Sequence, residues 1–141
     1  MKIEKTDNIA ELEDILGNIY QQDDIEKDTD KFFNWKKFGF VIKNDEGKIV
    51  GGIHGHRMFK AITIDELCMS KECRGNGLGR QLLEMAEKEG NDDGTCDNIN
   101  LMTNAFQDAV EFYKKCGFEI EFIREMKGFP QLNKIYMVKK L

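Results

Sequence analysis

Residues 73–90 read CRGNGLGRQLLEMAEKEG: three glycines within five positions, an arginine on either side, then an amphipathic run rich in Glu and Lys. Glycines leave the backbone bare and free to take a positive φ. A helix that starts directly behind them offers unpaired amides and the positive end of its dipole to an anion. The helix is expected from about Gly77 to Glu89, with Leu78, Leu82, Leu83, Met85 and Ala86 on its apolar side. Two familiar phosphate loops do not fit. GxxxxGK[ST] needs a Gly-Lys-Ser or Gly-Lys-Thr that the chain lacks. GxGxxG has a different spacing from Gly75-Asn76-Gly77-Leu78-Gly79 and belongs at the start of its fold. What remains is Arg74-x-x-Gly77-x-Gly79, a cradle in which Arg74 and Arg80 can add charge-assisted bonds to a pyrophosphate. The same residues also suit a plain glycine turn entering a surface helix.

Working outward, "FGFVIK" and "KIVGGIHGH" are strand-like runs joined by the hairpin signal "NDEG", and "AITIDELCMS" completes a meander before the glycine loop. Behind the helix, "NINLMT" reads as a buried strand and "AFQDAVEFYKKCGF" as an amphipathic helix closed by Gly117. "FEIEFIREM" and "NKIYMVKKL" read as two further strands. At the front, "MKIEK" reads as a short strand and "IAELEDILGNIY" as a helix capped by Asp7 or Asn8, with Ile9, Leu12, Leu16 and Ile19 on one face. "QQDDIEKDTDKFFNWKK" reads as a second short helix or a long loop. The order β-α-α-β-β-β-α-β-α-β-β predicts a mixed α/β fold with helices packed on one sheet, not an alternating doubly wound array.

The chain has 141 residues, 40% hydrophobic and 33% charged, which suits one domain over 1–141. A net charge of −5 excludes the basic face of a nucleic-acid binder and suits a cationic partner. No apolar run approaches the ~20 residues of a membrane helix, and the opening residues lack a secretory apolar core. The expected setting is cytoplasmic, without membrane or nucleic-acid partners. Cys68, Cys73, Cys96 and Cys116 form no CxxC pair and read as thiols.

"DELCMSKECRGNGLGRQLLEMAEKEG" followed by "INLMTNAFQDAVEFYKKCGFEI" resembles the GNAT superfamily of N-acetyltransferases. The first block is similar to its acetyl-CoA motif of strand, [RQ]xxGx[GA] and helix. The second is similar to its next motif of strand, Asn, Tyr-bearing helix and Gly-Phe. The resemblance covers about residues 62–120 and implies a mostly antiparallel central sheet of six or seven strands with about four flanking helices. It also implies acetyl-CoA as co-substrate, with the loop Arg74, Gly75, Asn76, Gly77, Leu78, Gly79 and Arg80 on its pyrophosphate. By the same resemblance the backbone of Leu67, Cys68 and Met69 lies along the pantetheine and near the thioester oxygen. Fixed amides there would stabilise the charge that develops in acyl transfer. Asn104 would contact the cofactor; locally it also suits a helix N-cap. Tyr113 would serve the departing sulfur, as a phenol near pKa 10 keeps its proton at neutral pH, while Phe112 would pack in the core.

The base is sought at Asp65 and Glu66, since similar acidic pairs occur in polyamine-type members. Strict alternation puts Asp65 on a face with Leu67 and Met69, and Glu66 with Cys68, unless a bulge intervenes. His54 and His56 share one strand face and are alternative bases. Without a third ligand they predict no metal. The acidic run Asp23, Asp24, Glu26, Asp28 and Asp30, with Phe32, Phe33 and Trp35, falls where the family places substrate-covering helices. The implied activity is direct transfer of acetyl from acetyl-CoA to a primary amine in a ternary complex. The acceptor would be a small cationic molecule or a lysine or N-terminal amine, and the protein a homodimer, as small members often are. The alternative is a non-catalytic acyl-CoA-binding or sensing module, which would keep the loop and lack a working base.

Overall fold

The structure is a computed structural model and describes residues 1–27 and 35–141. Contacts divide the chain into two units, residues 1–33 and 34–141. The first holds helix α1 (Ile9–Glu26). Asn8 caps it by accepting from the Glu11 backbone amide at 3.2 Å, and the Asn8 side-chain Nδ2 donates to Glu11 Oε2 at 2.8 Å. Two expectations fail here. "MKIEK" forms no strand, and "QQDDIE" extends α1 instead of opening a second helix. The rest of the acidic and aromatic run, including Asp28, Asp30, Phe32 and Phe33, lies outside the described residues.

The second unit is built on six strands: β1 (Lys36–Lys43), β2 (Ile49–Met58), β3 (Ala61–Met69), β4 (Asn98–Asn104), β5 (Glu119–Arg124) and β6 (Lys134–Lys140), in the order β1-β2-β3-β4-β6-β5. Only β3 and β4 run parallel; every other pair is antiparallel. Helices α2 (Leu78–Gly90) and α3 (Val110–Lys115) lie between strands in the chain. The fold is thus mixed α/β with a mostly antiparallel sheet, and three α-helices are described where about four were expected. Ile62, Ile64, Ile99, Leu101, Ile135 and Met137 form the core face of the sheet, against Leu82, Leu83 and Ala86 of α2. A Cβ on Gly90 would lie 2.8 Å from Ile62 Cδ1, so glycine is what lets α2 end directly on β3.

The predicted helix 105–118 is divided. Ala105–Gln107 forms a 3-10 turn, Asp108 takes φ +52°, and α3 begins only at Val110. Aspartate tolerates this left-handed geometry better than most residues. Gly117 does end α3, at φ +96°, with the Phe118 amide donating to Tyr113 O and the Gly117 amide to Lys114 O, both at 3.0 Å. These two bonds define a Schellman closure.

An ion pair of buried Arg57 with half-exposed Asp93 fastens the sheet to the end of α2. Arg57, 2% exposed, donates to Gly90 O at 3.2 Å, Asp93 Oδ1 at 2.7 Å, Thr95 Oγ1 at 2.7 Å and Phe59 O at 3.0 Å. The hydrogen bond from Arg57, then those from Thr95, hold the Asp93 carboxyl far below the usual carboxylate range. A depressed folded pKa gives stability that is complete above the unfolded value of about 3.9 and is lost as pH falls toward the folded one. Asp93→Asn should therefore be less stable at pH 7, and the gap should narrow between pH 4 and pH 3. Urea midpoints of both proteins across that range are the check; an equal gap at pH 7 and pH 3 contradicts this account.

Candidate active site

In the glycine loop Gly75 and Gly77 take φ of +82° and +75°, and a Cβ on either would meet nothing within 4 Å. Glycine is thus required by backbone angle, and the space in front of the loop is open. Gly77 is the N-cap of α2; no side chain caps the helix, and its first turn carries no acidic residue. Such an N-terminus keeps its orphan amides and dipole for an anion. Gly79 differs: its Cβ would lie 3.0 Å from Phe112 Cζ and 3.3 Å from Met69 Cε, so it sets the packing of α2 on α3 and β3. Arg74 Nε donates to Met69 O at 3.0 Å, tying the loop to β3. Arg80 Nη2 donates to Lys115 O at 2.6 Å, tying α2 to the end of α3. Each guanidinium has five N–H donors, so both keep donors for a ligand.

Beside the loop the sheet opens. β3 and β4 pair only from Ala61–Thr63 to Asn98–Asn100, although β3 runs on to Met69 and β4 to Asn104. The far half of β3, including Leu67, Cys68 and Met69, thus has no β4 ladder. Leu67 and Met69 pack on the core, while Cys68 is exposed. A cavity of about 370 Å³ lies on one side of this opening, lined by Thr63, Asp65, Asn100, Met102 and Tyr136 among others.

Strict alternation fails at Asp65. His54 pairs with Glu66 while Gly55 pairs with Ile64, so Asp65 is the extra residue of a β-bulge. Ile62 and Ile64 face the core before it, Leu67 and Met69 after it. Asp65 therefore does not share a face with Leu67 and Met69. Asp65 and Glu66 both reach the histidine face: His56 Nδ1 is 2.8 Å from Asp65 Oδ2, and His54 Nε2 is 3.3 Å from Glu66 Oε2. The sequence held a sign of this, since apolar positions at 62 and 64 resume at 67 and 69, one residue out of phase. The Trp35 ring stands 4.9 Å from the His56 ring, a contact the sequence reading missed.

Tyr113 is 7% exposed and touches the rings of Phe112 and Phe118. It is thus more buried than Phe112, which lies half-buried over Gly79. Burial pushes the Tyr113 phenol up to about 12, and the Cys116 and Cys68 thiols add to the rise. Its hydroxyl has no hydrogen-bond partner among the described residues, where no fully buried side-chain oxygen or nitrogen goes unpaired. The hydroxyl therefore opens to solvent. Asn104 ends β4 and starts the 3-10 turn; its backbone amide donates to Gln107 Oε1 at 2.7 Å.

A family model described as acetyltransferase (GNAT) family matches residues 9–118. The chain belongs to that family. Among curated relatives, a blasticidin-S acetyltransferase from Streptomyces morookaense is 30% identical over 76 residues, 54% of this chain and 55% of its own. The match thus spans about half the length of that relative. Among solved structures, an acetyltransferase from Bacillus cereus is 30% identical with a TM-score of 0.75, covering 100% of this chain and 98% of its own. A Bacillus anthracis protein solved with acetyl coenzyme A has a TM-score of 0.63 at 21% identity, covering 79% of this chain and 66% of its own, and is alike in fold.

Within this GNAT chain the nominated residues fall into two groups. The loop Arg74 to Arg80 follows β3 directly, Asn104 ends β4 and Tyr113 lies on α3 behind it. Asp65 and Glu66 form the second group, with His54 and His56. Among the described residues no group of His, Cys, Asp and Glu is arranged to hold a metal, and no helix is long and apolar enough to cross a membrane.

Proposed function

We propose that this GNAT chain transfers an acetyl group from acetyl-CoA to the primary amine of a cationic acceptor, by direct attack in a ternary complex. The observation that carries this reading is the uncapped start of α2, with open space before Gly75 and Gly77, set beside a strand edge that lacks its ladder. A ligand with a pyrophosphate and a long amide-bearing arm suits both features at once. Bound acetyl-CoA would supply an activated acyl carbon. The α2 amides, with Arg74 and Arg80, would hold its phosphates. Backbone groups of Leu67, Cys68 and Met69 would pair with the arm and donate to the thioester oxygen. Asn104 would bond the arm from the β4 side, and Tyr113 would donate to the sulfur as it departs.

The acceptor class follows from charge. Asp65 and Glu66 are exposed on β3, and the whole chain carries a net charge of −5. Carboxylates draw in an ammonium before one of its protons is removed. The relative named for blasticidin S supports an amine-bearing antibiotic as one member of this class. A thiol-release assay with acetyl-CoA should find turnover among diamines, blasticidin S, streptothricin, amino acids and lysine peptides. Binding of acetyl-CoA without turnover of any amine would favour the non-catalytic sensing module instead. Glu66, with its side chain 78% exposed, is placed to attract and not to react. Glu66→Gln should raise KM for a dicationic acceptor about fivefold with kcat held, the size expected of one exposed charge pair. An unchanged KM would remove Glu66 from acceptor binding.

A further inference from the structure

The bulge at Asp65 does more than shift the register of β3. It brings a carboxylate against an imidazole two residues along the neighbouring strand from the one facing Glu66. In the 2.8 Å contact between His56 Nδ1 and Asp65 Oδ2, an ionised carboxylate can only accept. This contact favours the hydrogen on His56 Nδ1, which in the neutral ring leaves the lone pair on Nε2. Nε2 has no partner among the described residues, where no fully buried side-chain nitrogen goes unpaired, so it opens to solvent. Trp35 leans on the ring at 4.9 Å and 33°, fixing its plane and covering part of it. His56 pairs in register with Thr63, and Thr63 and Asp65 both line the cavity beside the opening of β3 and β4.

The other polar groups of the cluster are less suited to take a proton. Asp65 is already committed to His56. The Glu66 side chain is 78% exposed, and His54 is 57% exposed with contacts of 3.3 and 3.9 Å. The His56 side chain is 22% exposed and held from two sides. An imidazole is also the side chain whose proton affinity best matches work at neutral pH.

Resting on the acetyl-transfer reading, we propose that His56 is the catalytic base, taking the proton of the acceptor ammonium at Nε2, and that Asp65 is its positioning residue. The proton moves from the ammonium to Nε2, and the freed nitrogen lone pair forms the new C–N bond. The attacking nitrogen then gives up its second proton, the C–S bond breaks with its electron pair on sulfur, that proton passes to the sulfur through water, and the imidazolium returns the first proton to bulk water. Asp65 accepts from Nδ1 throughout, keeping the tautomer and orientation, as the third member of a nucleophile–base–orienter set does.

His56→Gln, Asp65→Asn and the double variant separate this from a structural role. With the best alkylamine acceptor, His56→Gln should lower kcat about 100-fold, the low end for a lost base, and leave acetyl-CoA affinity and Tm unchanged. Asp65→Asn should cost roughly tenfold, and the double variant no more than His56→Gln alone, because the pair works as a unit. Hydroxylamine, largely unprotonated at neutral pH, needs no base before attack, so His56→Gln should lose less than about threefold with it. Nitrogen NMR of the native chain should show His56 protonated at Nδ1, and Asp65→Asn should lose that preference. Native kcat in His56→Gln, an equal loss with hydroxylamine, or a native Nε2–H tautomer overturns the assignment. No turnover of any amine by the native chain overturns the acetyl-transfer reading first, while the NMR measurement still decides the His56–Asp65 pairing.

Discussion

Gly77→Val should weaken acetyl-CoA binding about a thousandfold while the fold stays intact. Gly77 holds φ +75° at the N-cap of α2, a conformation a β-branched residue adopts only with strain. Apart from its chain neighbours, nothing among the described residues lies within 4 Å of the new Cβ, so the core contacts of Leu82, Leu83 and Ala86 remain. The substitution therefore acts in front of the helix. Either valine stands in the space before the amides, or the loop relaxes and turns the amides away. Each hydrogen bond to a charged group contributes about 1.5–3 kcal/mol, so losing two gives on the order of a thousandfold in affinity. Gly47→Val is the matched control, with φ +80° and open space in the β1–β2 turn. It should show the same local strain and unchanged binding. Calorimetric titration of both variants, with thermal melts, makes the comparison. Native affinity in Gly77→Val would move the phosphate site away from this loop.

How much of this was legible in the chain depended on whether a signal was local. The glycine loop, α2 and the "NDEG" turn were readable because steric needs act within a few residues: Gly47, Gly75 and Gly77 all take positive φ. Gly117 was readable as a helix end for the same reason. "MKIEK" alternates like a strand, but a strand exists only with a partner, and nothing in five residues names one. The long helix expected over 105–118 was a failure of a different kind. Its apolar spacing was sound, but the bond from the Asn104 amide to Gln107 closes a turn first, and Asp108 then leaves the helical region. The acid–imidazole pairing lay beyond local reading altogether. It depends on β2 and β3 aligning His56 with Thr63 and on the bulge next to it, and alternation alone sent Asp65 to the wrong face.

Tyr113→Phe should lower kcat about 50-fold, with acetyl-CoA affinity, Tm and the shape of the pH profile all unchanged. The ring is held by Phe112 and Phe118 and is 7% exposed, so removing one oxygen disturbs little packing. The oxygen has no partner among the described residues, so its loss orphans no protein group. What the variant removes is a donor not used by any described protein group. The phenol is raised to about 12 by burial first and by Cys116 and Cys68 second. A thiol loses its proton near 8.5, so complete transfer from Tyr113 to a thiolate runs uphill by several powers of ten. The phenol is thus better placed to stabilise the departing sulfur by a hydrogen bond than to protonate it outright. A hydrogen bond to a charged group is worth about 1.5–3 kcal/mol, or roughly 10- to 150-fold in rate if made only as charge develops. Because the phenol stays protonated well past pH 10, it contributes no limb to the profile in the ordinary working range. Steady-state rates from pH 6 to 9.5, with single-turnover traces to isolate the chemical step, make the test. A shifted pH optimum in Tyr113→Phe would mean that the phenol titrates in the reaction, and an unchanged chemical step would return Tyr113 to the core.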